Sequence, residues 1–225
     1  DEMLPFYGDL AAIGTIADIM LLEGENRRIV KAGLALLQQT ERPGIAALIE
    51  ACGLGGKELT AENVSFGLAP RLNAAGRMDS AAAALELLLC EDPEEAEAIV
   101  AGLEAQNAAR QKAEQDILQG VLDSVAADET YGADRILVVW GRGYHQGVIG
   151  IVASRVVERF GKPAIIVSVD ENGEGKGSGR SIAGVSLYNA IAACGDLLIR
   201  FGGHALAAGL SVREENLPAF RKAVN

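Results

Sequence analysis

The sequence predicts an α/β protein in two parts: a helical first part and a small α/β domain, joined by one long helix. Three observations carry this. Apolar residues recur at helical spacing through most of the first 125 residues. A stretch beginning at Asp92 combines a strong helix start with a polar middle. After Tyr131 and Gly132, short β-branched runs alternate with helical patterns.

The bulk numbers agree. At 225 residues and 49% hydrophobic, the chain builds a sizeable core without disulfides or a structural metal. Its three cysteines, Cys52, Cys90 and Cys194, are odd in number and far apart. They read as small buried hydrophobes of a reducing compartment, and the expected location is cytoplasmic. No run approaches the ~18 apolar residues of a membrane span, so no membrane partner is expected. The chain starts at Asp1 and stops inside what reads as an unfinished helix, so it is expected to be a segment of a longer protein.

The net charge of −11 argues at first against nucleic acid. That charge is unevenly spread. Residues 1–130 carry 9 Lys and Arg against 23 Asp and Glu, while residues 131–213 carry 9 against 6. The second part is the basic one.

Taken in order, residues 9–22 are almost wholly apolar apart from Asp9 and Asp18. The segment is expected to be buried, leaving the Asp18 carboxylate in an apolar setting that requires a partner or a metal; capping a helix end is the rival role. Helices follow over 25–39 and 43–52, the second closed by Gly53. Thr60 is suited to cap the next helix, which Pro70 is expected to break or kink. Arg71, Asn73 and Arg77 then lie among small residues, a setting that suits an anion or a buried carboxylate. Asp79 is expected to start a helix running to Leu89. Asp92-Pro93-Glu94-Glu95 supplies an N-cap, a proline at N1 and acids in the first turn. The helix it opens spans roughly 35 residues, or ~50 Å, and its polar middle reads as a strut.

In the second part, 136–140 and 163–169 read as strands around a helix over 148–160. Residues 176–181 form a glycine-laced third segment, 186–200 read as helix with a break at Gly195, and 208–213 as a fourth strand. Three stretches of this part suit anions. Residues 143–147 hold His145 before a helix start, where free N–H groups and the helix dipole favour negative charge. Residues 177–181 combine glycine N–H groups, the hydroxyls of Ser178 and Ser181, and Arg180, which can grip a phosphate bidentately. Gly202, Gly203 and His204 form the third, a glycine-rich turn. Any one alone is more simply a turn; together they hold both histidines of the chain and point to phosphate binding. Arg155, in the helix over 148–160, suits an anion or an outward surface role equally. No Walker A, dinucleotide-binding turn or H-E-x-x-H motif occurs.

Five stretches in order carry a resemblance: 10–18 (LAAIGTIAD), 70–77 (PRLNAAGR), 145–155 (HQGVIGIVASR), 177–181 (GSGRS) and 202–209 (GGHALAAG). The chain resembles the later part of the catalytic core of the RecJ single-strand-specific 5′→3′ DNA exonucleases, of the DHH phosphoesterase superfamily. The resemblance implies the helical remainder of a DHH domain over 1–78, a helical connector over 79–130 and a DHH-associated domain with a mixed sheet over 131–225. It implies Asp18 as a metal-binding acid. Ser178, Arg180, Ser181, Gly202, Gly203 and His204 would hold substrate phosphate, and Arg71, Asn73, Arg77, His145 and Arg155 would line the path of single-stranded DNA. It further implies Mn²⁺ or Mg²⁺ in a two-metal hydrolysis, in DNA repair and recombination alongside other repair proteins. The Asp-x-Asp and Asp-His-His motifs of the family do not occur here, so most of the metal site is missing and this chain alone is expected to be inactive. Relatives that cleave short oligonucleotides or cyclic dinucleotides share the Gly-Gly-His stretch. Such a phosphodiesterase, or a non-catalytic nucleic-acid-binding module, is the alternative.

Overall fold

Apolar spacing becomes helix throughout the first 110 residues. The computed structural model describes residues 2–225. It divides into two units, one running to Arg110 and the other Gln111–Asn225.

In the first unit, α1 (Leu4–Ala17) and α2 (Gly24–Leu37) pack closely. A Cβ on Gly33 would overlap the Gly8 carbonyl oxygen and the Ala12 methyl, so glycine is what lets these backbones approach. Next come α3 (Pro43–Ala51), α4 (Ala61–Asn63), a π-helical turn (Val64–Leu68), α5 (Ala69–Met78) and α6 (Ala82–Leu89). Leu37, Ile45, Leu48, Leu68 and Leu87 are fully buried in one core. The first turns of α7 (Pro93–Ala127) close it with Ala96, Val100 and Leu103. The 35-residue α7 starts where the capping signal places it, with Asp92 Oδ1 accepting from the Glu94 and Glu95 N–H groups.

Three expectations for this unit need correction. Residues 9–22 do bury an acid, but it is Asp9, whose carboxylate takes the Arg42 Nε at 2.8 Å. Asp18 is exposed at the C-cap of α1, and beyond it Ile19 and Leu21 stand 87% and 76% exposed. An apolar run is buried only if something covers it, and no described residue covers this one. Pro70 does not break its helix. It lies at the start of α5, where the wider π turn hands over to α-geometry. The proline ring would crowd the carbonyl four residues back in a regular helix, and the π turn removes that clash. Finally, α6 begins at Ala82, with the Ser80 hydroxyl accepting from its N–H, rather than at Asp79.

The second unit holds β1 (Leu137–Arg142), α8 (Ile149–Phe160), β2 (Ala164–Val169), β3 (Glu174–Arg180), α9 (Leu187–Ala192), β4 (Leu198–Gly203), β5 (Ala207–Arg213) and α10 (Leu217–Val224). The sheet order is β1-β2-β3-β5-β4, with β1 and β2 parallel and the other pairs antiparallel. It is therefore a mixed sheet. One face packs Val138, Ile165, Val167, Leu210 and Val212 against Leu187 and Ile191 of α9 and Leu217 and Phe220 of α10. On the opposite face, α8 covers β2 and β3 with Ile149, Val152, Ala153 and Val156 buried. The strand β4 is the main departure here, because the sequence places residues 198–203 at a helix end and a turn. The helix stops at Ala192, a 3₁₀ turn covers Gly195–Leu197, and the chain then pairs along β5 as an edge strand.

Candidate nucleic-acid interface

The strand β3 organises the site through its alternation. Gly175, Gly177 and Gly179 point into the apolar core. A Cβ on Gly179 would lie 2.5 Å from Leu187 Cδ2, and one on Gly177 would lie 2.9 Å from Leu210 Cδ1. The core therefore requires these glycines. The intervening Lys176, Ser178 and Arg180 point to the opposite face, at least partly open to solvent.

This corrects the reading of 177–181 as a loop of free N–H groups. Residues 174–180 form an interior strand paired with β2 on one side and β5 on the other, so the ladder engages their backbone groups. What remains for a ligand are the side chains. Arg180 Nη1 donates to Ser178 Oγ at 3.2 Å and to the Gly179 carbonyl at 2.9 Å, which sets the guanidinium beside the hydroxyl. The start of α8 leaves room for both: a Cβ on Gly150 would come within 3.0 Å of Ser178 Oγ and 3.1 Å of Arg180 Nη2. Ser181 continues past the strand, its N–H donating to the Leu206 carbonyl and its hydroxyl to the Val185 carbonyl.

The turn between β4 and β5 brings His204 to the same end of the sheet, since Arg180 pairs with Ala207 and Gly203 with Ala208. The His204 N–H donates to the Ala207 carbonyl at 2.8 Å, and the residue is exposed. Gly203 has φ of +140°, and a Cβ there would overlap the Ala207 carbonyl oxygen, so no other residue fits without strain. Gly202 is different: a Cβ there would meet no atom within 4 Å. Ser178, Arg180, Ser181, Gly203 and His204 thus gather at one end of the sheet, with Gly202 beside them on the edge strand. The chemistry they offer is a cation, hydroxyl donors and an imidazole around an open surface, which suits an anionic oxygen cluster.

His145 and Arg155 lie elsewhere in the same unit. The His145 carbonyl accepts the Val148 and Ile149 N–H groups at the start of α8, and its Nδ1 accepts the Gly147 N–H at 3.2 Å. Part of this loop's donor capacity is therefore spent internally. Beside it, the Tyr144 ring packs on Gly141 and Gly120, and burial pushes its phenol pKa up. Arg155 reaches α7: its Nε donates to Glu114 Oε1 and its Nη1 to Glu158 Oε2, each at 3.2 Å. These hydrogen bonds, Glu114 first, hold its pKa above the ordinary value.

In the first unit, Arg71 has found a carboxylate. Its Nε and Nη2 lie 3.3 and 3.2 Å from Glu104 Oε1, and its Nη1 donates to the Gly67 carbonyl within the π turn. Asn73 and Arg77 are exposed, one turn apart on α5. No cluster of three His, Cys, Asp or Glu suited to a metal occurs among the described residues. The described residues do not by themselves make up a metal centre. No helix among the described residues is long and apolar enough to cross a membrane.

Sequence reasoning missed Ser211, which shares this face of the sheet with Arg200. The strand they require was unreadable in the sequence 198–203, although the +3 balance of residues 131–213 already marked the region.

Comparison with known proteins bears on the fold. The DHHA1 domain family matches residues 133–225. The single-stranded-DNA-specific exonuclease RecJ of Bacillus subtilis is 43% identical over the whole of this chain, which spans 28% of that protein. Crystal structures of RecJ from Thermus thermophilus, one in complex with Mg²⁺ and one with Mn²⁺, each superpose with a TM-score of 0.87 over 98% of the chain. Identity there is 42% and 41%, and the chain spans 34% and 32% of those proteins. Residues 133–225 are a DHHA1 domain, and the chain along its whole length is similar to a segment of the RecJ exonucleases.

Proposed function

We propose that this chain is the phosphate-holding part of a metal-dependent, single-stranded-DNA-specific 5′→3′ exonuclease that hydrolyses phosphodiester bonds in DNA repair and recombination. The observation that carries the reading is the Ser178–Arg180 pair on the open face of β3. Three core-facing glycines fix its orientation, and His204 stands at the same end of the sheet. Ser178, Arg180, Ser181, Gly202, Gly203 and His204 receive the phosphate at the strand's end. The names of the RecJ relatives support single-stranded DNA as the polymer.

His145, Asn73, Arg77, Arg71 and Arg155 line the path of the strand. For Arg71 and Arg155 this means exchanging or sharing a carboxylate partner with a phosphate. The domain assignment follows the same reading: residues 1–78 from the DHH domain, 79–130 the connector and 131–225 the DHHA1 domain. We place the protein in the cytoplasm, working with other repair proteins.

The hydrolysis itself belongs to a divalent-metal centre of two Mn²⁺ or Mg²⁺ ions in the whole protein. The Mg²⁺ and Mn²⁺ complexes of the Thermus relative support the choice of ions. Asp18 is this chain's sole contribution to that centre. The chain therefore binds strands without cutting them. Incubating it with 5′-phosphorylated single-stranded DNA and Mn²⁺ yields retention on a filter and no mononucleotide. Cleavage would refute the assignment of the chemistry elsewhere; no retention at low salt would refute the binding role.

A further inference from the structure

A second cationic row lies beside the Ser178–Arg180 site on the same sheet face. The pairing aligns Lys176 of β3 with Ser211 of β5, and Ser211 with Arg200 of β4. One step along β3, Ser178 aligns with Gly209 and Gly209 with Gly202. Lys176, Arg200, Ser211, Gly202 and Gly209 border an open trough of about 430 Å³.

Arg200 is on this face because of a bulge. Leu198 pairs with Val212, but Arg200 pairs with Ser211, so the register slips by one at Ile199. In regular pairing Arg200 would stand opposite Leu210 and point into the apolar core. The bulge turns it to the open side and gives Phe201 the core-side position opposite Leu210. Ser211, only 2% exposed, then accepts Arg200 Nε at 3.2 Å. Among the described residues neither Arg200 nor Lys176 has a carboxylate partner, although Arg142, Arg155 and Arg221 of this unit all do.

The glycines of the trough floor make the same point. A Cβ on Gly202 would meet nothing within 4 Å, and one on Gly209 only the Gly177 carbonyl oxygen at 3.7 Å. Packing does not require glycine at either position, and glycine weakens a strand. The gain is a bare backbone floor that another chain can approach closely.

We propose that Lys176, Arg200 and Ser211 form a second phosphate subsite, which holds the phosphodiester following the one at Ser178 and Arg180. The rows are two strand residues apart, roughly 6.6 Å, about one nucleotide step of an extended strand. The bare floor of Gly209 and Gly202, level with Ser178, accepts the sugar. This rests on the reading of Ser178 and Arg180 as a phosphate site.

The test is fluorescence anisotropy of the 225-residue chain with a 5′-phosphorylated oligodeoxynucleotide of about ten residues, over a salt series. The Lys176→Ala/Arg200→Ala variant is expected to lose about tenfold or more in affinity. Its log–log salt slope flattens by about 1.4, the value for two lost single-strand phosphate contacts. Lys176→Ala alone, which removes no protein hydrogen bond, flattens it by about half as much. Unchanged affinity and slope in both variants, with Arg180→Ala weakened, overturn the second subsite and leave the first standing. Loss in these variants with Arg180→Ala unaffected removes the first site and overturns this row's place as the phosphate that follows it. A wild-type chain that does not bind the strand at low salt overturns both.

Discussion

Arg180 and Ser178 stand two residues apart on β3, and the arginine Nη1 donates to the serine Oγ at 3.2 Å. The serine orients one edge of the guanidinium, and Gly150 of α8 keeps space above both. A pre-oriented cation loses less conformational freedom on binding than a free one. Replacing Ser178 with alanine is therefore expected to weaken binding of a 5′-phosphorylated strand by about 1 kcal/mol, the scale of one ordinary hydrogen bond. Isothermal titration of the variant against the parent chain measures this. An unchanged affinity would mean the pair is structural only.

Two adjacent glycines should respond oppositely to the same change. Gly203→Ala forces a side chain into a φ of +140° against the Ala207 carbonyl, whereas Gly202→Ala places a methyl in open space. The first is expected to cost about 1–3 kcal/mol of stability, the usual scale of such strain. The second should leave the urea midpoint nearly unchanged. Equal effects would mean the hairpin between β4 and β5 relaxes more freely than its geometry implies.

Arg71 gives a prediction for the first unit. It ties Glu104 of α7 to the Gly67 carbonyl of the π turn. Arg71→Ala leaves both acceptors without this partner and is expected to destabilise the unit by about 1–3 kcal/mol. Thermal unfolding followed by circular dichroism tests it. An unaltered melt would leave strand contact as the main role of Arg71.

The pH dependence has a named source in the second unit. Asp128 accepts from the Thr130 side chain and from Arg221, which also lies over the Tyr131 ring at 3.4 Å. The Thr130 hydrogen bond first, and Arg221 after it, hold the Asp128 pKa down to about 2, against an ordinary value of 3.8. The carboxylate form is therefore favoured by folding. Its contribution is fully present above about pH 4 and is lost as the pH falls towards about 2. Urea midpoints between about pH 5 and pH 2 should fall less steeply for Asp128→Asn than for the parent chain. Parallel slopes would remove Asp128 as the source.

Much of this architecture is legible in the sequence, for local reasons. The long helix announces itself through Asp92 and Pro93, which satisfy its first N–H groups whatever lies nearby. The β1 and β2 runs read as buried strands because every residue of β2 is apolar or small and buried on both faces. What is not legible depends on partners distant in sequence. Residues 198–203 carry a glycine pair and are exposed along most of their length, so neither propensity nor pattern marks them as a strand; pairing with β5 makes them one. The glycines of β3 read as a loop because nothing local reveals Leu187, Ile165 and Leu210 pressing on them. Asp18 reads as buried because apolar composition says nothing about whether a covering surface is present.

The same distinction separates the site residues. Ser178, Arg180 and His204 stand out by residue type and glycine neighbours, and the sheet then brings them to one end. Arg71 and Arg155 stand out for the same charge, and the structure gives each a carboxylate.

The Ser178–Arg180 end of the sheet is proposed above to receive a terminal phosphate. The most direct measurement of this is the ratio of dissociation constants for 5′-hydroxyl and 5′-phosphorylated versions of one oligodeoxynucleotide, taken for the parent chain and for Arg180→Ala. Roughly a tenfold or greater preference for the phosphorylated strand is expected in the parent chain, consistent with a charge-assisted contact. In Arg180→Ala that ratio should fall close to one while the melting temperature holds. An equal preference in both proteins, or none in the parent chain, would contradict it.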